Sequence, residues 1–135
     1  MKQGVQENFP HNEIREGGCY FLCLVRWAEV LTGKEFSERD AIVWFEGFKK
    51  MGWLEDDGFI VNPISILNAM SNTNTFKSVA KSAEFPSDQD LFIAYLKKSG
   101  HGHFVLSING KIWDPLPPCR PGVNDYKVDS YRVLI

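Results

Sequence analysis

The sequence predicts a single α+β domain, with helices first and an antiparallel sheet supplied by its C-terminal part. Three observations carry this expectation. Gly17-Gly18 opens a long apolar stretch that starts at Cys19 and closes at Gly33, the pattern of a buried central helix. Asn109-Gly110 lies between two short β-prone runs, the strongest local signal for a tight hairpin. Pro115, Pro117, Pro118 and Pro121 forbid regular structure ahead of a last β-prone run. Helical patterns followed by strands argue against the alternating order of a doubly wound sheet.

The chain of 135 residues suits one domain over 1–135, with the polar stretch 1–11 expected to be flexible. Hydrophobic residues at 44% and aromatics at 13% supply an ample core. A net charge of −2 gives no electrostatic case for nucleic acid or an anionic membrane. The apolar run Tyr20 to Val25 is broken by Arg26 and Glu29, so it does not read as a membrane span. Met1 to Pro10 lacks the apolar stretch of a secretory signal. Three cysteines, an odd number, argue against a disulfide framework, so a reducing cytoplasm is the expected setting.

The elements follow in order. Gly17 to Gly33 is the buried helix, opening on Cys19, with Arg26 and Glu29 on one face. Ser37 caps a second helix, with Asp40 completing a capping box and Ile42, Phe45, Phe48 and Met51 at helical spacing. Glu55-Asp56-Asp57-Gly58 reads as a solvated turn before a short Phe59-Ile60-Val61 strand. Asn62-Pro63 opens a third helix carrying Ile64, Leu67 and Met70. Thr75 to Lys81 reads as a strand, and Ser87 to Lys98 as a further helix. His103 to Ile108 and Lys111 to Trp113 form the hairpin, and Tyr131 to Ile135 the last strand.

A nucleophilic thiol needs a setting that favours the thiolate, a nearby imidazole and donors for the oxyanion. A helix N-terminus supplies the first, through its free N–H groups and dipole. Cys19 stands there, behind two glycines expected to turn the backbone and admit a substrate chain. His103 heads a strand that would hold its ring in orientation. Across the hairpin, Asp114 is offset from His103 by about two residues, within reach of diagonal neighbours, and can fix the imidazole tautomer.

The order of cysteine at a helix start, histidine at a strand start and Asp-Pro after a hairpin resembles the papain-like cysteine peptidases. The resemblance is to the compact bacterial peptidases that process double-glycine leaders. Gly102-His103-Phe104-Val105-Leu106, Asn109-Gly110 and Asp114-Pro115 carry it. It implies a papain-like fold and a hydrolase of peptide or amide bonds, with Cys19 as nucleophile, His103 as base and Asp114 as orienter. It also implies a peptide or protein substrate and no cofactor. Where that family places a glutamine ahead of the cysteine, this chain has His11 to Glu16, with Asn12 the nearest amide. Where the family has a small residue, Tyr20-Phe21 follows the cysteine. The second expectation is therefore the same fold used as a protein-binding module, as in an accessory protein of a phage or mobile element. Gly18, Asn12, Trp113 and His101 complete the expected oxyanion and substrate contacts.

The remaining candidates have simpler readings. Cys23 lies one turn beyond Cys19 and faces the core, and Cys119 is a loop thiol. Cys19-x-x-x-Cys23 with His101-x-His103 has spacing open to zinc, but Tyr20-Phe21-Leu22 argues for burial, so no metal is expected. Trp53 and Trp113 are the tryptophans expected to wall the cleft. His11 is expected at the surface.

Overall fold

The computed structural model describes residues 1–98, 100–116 and 126–135. Cys119, Asp125 and the prolines 117, 118 and 121 lie outside them. Four α-helices and five strands occur among the described residues: α1 (Asn12–Gly17), α2 (Cys19–Thr32), α3 (Glu38–Lys50), α4 (Pro63–Ser71), β1 (Val79–Ser82), β2 (Leu91–Lys98), β3 (His101–Ile108), β4 (Lys111–Trp113) and β5 (Lys127–Leu134). The strands form one antiparallel sheet in the order β1-β5-β2-β3-β4. The α+β class is as the sequence predicts. No described helix is long and apolar enough to cross a membrane.

Helix α2 is the axis of the core. Phe21, Leu22, Leu24, Val25 and Trp27 are wholly buried along it, each contributing about 1.5–3 kcal/mol of burial. Gly33 stops the helix in a left-handed conformation at φ 70°, which a residue with a β-carbon adopts only under strain. Glu29, buried in the apolar surround, is satisfied by the Arg26 guanidinium at 3.2 Å, the Met1 amine at 2.5 Å and the Phe36 N–H at 2.7 Å. Helix α3 starts on the expected capping box between Ser37 and Asp40. Asn62 caps α4 through Ser65 N–H, with Pro63 in its first turn.

Several expectations change: the strand expected over Thr75 to Lys81 is confined to Val79–Ser82, and the last strand begins at Lys127 rather than Tyr131. Residues 87–98 are not a helix: Ser87 and Gln89 close turns onto the Phe85 and Pro86 carbonyls, and Leu91–Lys98 is strand β2. β2 is bonded on both edges, to β3 and β5. Ile93 enters the helix-packed core, while Phe92, Ala94 and Leu96 line a cavity with Val105, Ile112 and Val128. A strand apolar on both faces has no polar alternation, so its periodicity does not distinguish it from a helix. The Phe59–Val61 strand shrinks to one bridge, Leu54 to Ile60. Residues 1–11 are bonded to the rest of the fold, with Gly4 N–H on the Asp114 carbonyl at 3.0 Å, Gln6 N–H on the Pro115 carbonyl at 2.9 Å and Phe9 buried.

The β3–β4 hairpin is the other local success. Asn109 and Gly110 both take positive φ, 50° and 83°, as a two-residue hairpin turn demands. The register pairs Leu106 with Trp113 and Ile108 with Lys111, which sets Asp114 diagonally across from His103.

Candidate active site

Three segments meet at the N-terminus of α2. Cys19 is the first residue of that helix, whose N-cap, Gly18, makes no side-chain cap. The first-turn N–H groups are thus left to whatever occupies the space ahead of them. From β3, buried His103 directs its Nε2 at Asp114 Oδ1, 2.7 Å away. Cys19 lies close enough to the same imidazole to help raise its pKa, and with Nε2 on Asp114 the ring nitrogen left to face a thiol is Nδ1.

Asp114 is held on every side. Its Oδ1 also accepts from Leu116 N–H at 2.9 Å, its own N–H donates to Gln3 Oε1 at 3.2 Å, and its carbonyl accepts from Gly4. Burial pushes the His103 pKa down, but the hydrogen bonds to Asp114 and Cys19 and their charges outweigh it, raising it from 6.5 to about 9. The ring therefore carries its proton at neutral pH. Burial pushes the Cys23 thiol well above its ordinary range, with Cys19 and Asp114 adding to the effect. That thiol is a core residue.

The helix and the strand are pinned by their next residues. Tyr20, following Cys19, stacks on Phe104, following His103, with centroids 4.2 Å apart and planes 23° apart. Tyr95 stacks on the same phenylalanine at 4.5 Å, and the Arg132 guanidinium lies over the Phe104 and Tyr95 rings at 5.7 and 5.8 Å. The bulky residue after the cysteine thus registers α2 against β3. The identical offset of Tyr20 and Phe104 from Cys19 and His103 was the sequence signal for it.

A cleft of about 440 Å³ opens at Cys19. Gly17, Asp57, Gly58 and Phe59 form one side, and Tyr20, Phe104, Lys81 and Arg132 belong to the other. Glu55, Asp56 and Asp57 are exposed, as expected of a solvated turn, and Asp57 and Gly58 also line this cleft. The backbone of this turn packs on Gly17, where any β-carbon would collide with the Asp57 carbonyl, and a β-carbon on Gly18 would collide with Ile14. The two glycines serve this close packing of the chain on itself, a reason different from the expected substrate approach.

The structure keeps other expected contacts apart from this group. Asn12 is exposed on α1, and its Oδ1 accepts from the Arg15 guanidinium. Buried Gln6 gives its amide N–H to the Arg15 carbonyl at 3.2 Å. Trp113 is a core residue, its Nε1 donating to the Met1 carbonyl at 3.1 Å. Trp53 stacks on Phe48 at 5.5 Å, and neither tryptophan lines the cleft. His101 is exposed at the start of β3, paired across to Lys98. His11 is half-buried against Phe45 and bonds Glu46 at 2.6 Å. His11, Glu13 and Glu46 form the one metal-like cluster among the described residues, and Lys49 Nζ already supplies its cation, 3.0 Å from Glu13 and 3.2 Å from Glu46.

A family model described as "Protein of unknown function, DUF261" matches residues 1–135. The chain belongs to the DUF261 family. No curated protein and no solved structure matches it. What this DUF261 chain does must accordingly be argued from its own residues.

Proposed function

We propose that the domain is a papain-like cysteine hydrolase acting on a peptide or amide bond, with Cys19, His103 and Asp114 as its triad. The observation that carries this is one buried imidazole shared between a carboxylate and a thiol at a helix start. In this reading the Cys19 proton resides on His103 and the sulfur attacks the carbonyl carbon. The oxyanion forms against the uncapped N–H groups of the first turn of α2. His103 returns the proton to the leaving amine as the C–N bond breaks, and water hydrolyses the thioester with His103 as base. Asp114 holds the ring by Nε2 throughout, so that Nδ1 stays on the thiol.

A second reading, a binding module that grips peptides without cutting them, is favoured by the placement of the side-chain amides. Asn12 turns outward to Arg15, and Gln6 directs an amide N–H to the Arg15 carbonyl. Loss of one oxyanion donor lowers rates by about two to three orders of magnitude. Intact-mass spectrometry during incubation with a peptide-ester library separates the two readings. A hydrolase shows an acyl adduct on Cys19 that decays with product release and is absent from Cys19→Ala. Binding of peptides with no adduct and no product selects the module.

A further inference from the structure

We infer that the sheet-side wall of the Cys19 cleft is an anion-binding subsite, made by Lys81 and Arg132, and that the peptide it accepts presents a carboxylate there. The inference rests on the reading of Cys19 as the nucleophile and adds a substrate class to it.

Lys81 on β1 and Arg132 on β5 are direct partners across an antiparallel ladder, and both line the cleft that holds Cys19. Like charges placed directly opposite on a ladder repel. A bound anion would relieve that repulsion, and among the described residues no carboxylate forms an ion pair with either. Three other cations have ion pairs, Lys49 with Glu13, Arg26 with Glu29 and Lys97 with Asp129; what sets Lys81 and Arg132 apart is that they face each other on the wall of the Cys19 cleft. Arg132 instead donates to neutral acceptors, Ser130 Oγ at 2.8 Å and the Tyr131 carbonyl at 3.2 Å. Asp57, on the facing wall, spends a carboxylate oxygen on Phe59 N–H at 3.0 Å. The chain as a whole carries −2, so this positive wall runs against the average sign.

The wall is also preorganised and near the proposed chemistry. The Arg132 guanidinium rests over Phe104 and Tyr95 and is near enough to the phenol of Tyr20, the residue after Cys19, to act on its pKa. A planar cation held in this way recognises a carboxylate by its fork geometry. Lys81 is exposed on its strand and free to swing toward a bound anion. An acidic side chain and a free C-terminal carboxylate share this chemistry.

The test compares iodoacetate with iodoacetamide at Cys19, in a Cys119→Ser background. The two reagents differ in charge and little in size, and their rate ratio divides out changes in the thiol's own reactivity. Lys81→Gln and Arg132→Gln should each lower the ratio by about two- to fivefold at low ionic strength, the scale of one partly screened charge. Lys81→Glu should lower it further, and the variants should converge with the native chain in 1 M salt, where charges are screened beyond about 3 Å. A ratio unmoved by Lys81→Gln, Lys81→Glu and salt overturns the subsite. If iodoacetamide labelling then remains fast and dependent on His103, the nucleophile reading stands alone. Slow labelling indifferent to His103→Ala overturns that reading and the inference together.

Protection of Cys19 from iodoacetamide distinguishes the anion sources. Three versions of one peptide are compared: end-blocked with an internal glutamate, end-blocked with glutamine there, and glutamine with a free C-terminus. Stronger protection by the first assigns an acidic side chain, and by the third a terminal carboxylate. Equal protection by all three overturns the inference.

Discussion

The carbonyl oxygen of Asp57 occupies the space a side chain on Gly17 would need, and the Gly17 carbonyl does the same to Gly58. Two backbones are in contact, so no rotamer change relieves the overlap. Gly17→Ala must displace either the acidic turn or the start of α2, with an expected cost of about 1–3 kcal/mol. Gly47, with open space around its α-carbon in α3, is the control: Gly47→Ala should gain roughly 0.5–1 kcal/mol through helix propensity. Urea denaturation reads both, and a Gly17→Ala midpoint equal to that of the native chain would refute the interlock.

The His103–Asp114 bond makes stability depend on pH. His103 titrates at about 9 in the fold against an ordinary 6.5. The raised value means the imidazolium stabilises the fold fully below pH about 6.5, with the benefit lost as pH climbs through about 9. At most this is worth about 3 kcal/mol. Asp114→Asn should flatten the fall in stability between pH 6 and 9.5. An equally steep fall in that variant would assign the titration elsewhere.

Cysteine labelling should be confined to one end of α2. Cys23 is fully buried, and its thiol is pushed well above the ordinary range, while Cys19 lines an open cleft. With Cys119 replaced by serine, peptide mapping after brief iodoacetamide treatment should find Cys19 modified and Cys23 untouched. Comparable modification of both would mean that α2 unravels in the native state.

The Tyr20–Phe104 stack should act on reactivity through position. Tyr20→Phe keeps the ring contact and should leave the His103-dependent labelling of Cys19 in place. Tyr20→Leu should lose about 1 kcal/mol of stability and weaken that dependence as helix and strand drift apart. Loss of reactivity in both variants alike would point to the phenol, whose pKa burial raises to about 12 against the opposing pull of Arg132, rather than to the stack.

What was legible in the sequence was what local chemistry specifies. The Ser37–Asp40 box, the Gly33 stop and the Asn109-Gly110 turn each depend on a few adjacent residues, and the diagonal offset of His103 and Asp114 follows from that turn alone. Strand β2 was hidden because both its faces are buried. The N-terminal strap was hidden because it is held largely by backbone hydrogen bonds, which polar side chains do not advertise. The lack of bulk of Gly17, which the acidic turn requires, depends on a contact distant in sequence that the glycine alone does not reveal. Lys81 and Arg132 stayed invisible because only the sheet order, β5 inserted between β1 and β2, makes them neighbours.

That order also dictates when the parts of the cleft come into being during synthesis. Cys19, His103 and Asp114 all leave the ribosome ahead of β5, and the hairpin that joins the last two closes locally. Among the described residues strand β1 has its ladder only with β5, so the facing of Lys81 and Arg132 waits for the last strand. A chain lacking β5 would keep Cys19, His103 and Asp114 in its sequence and lose the cationic wall of the cleft outright.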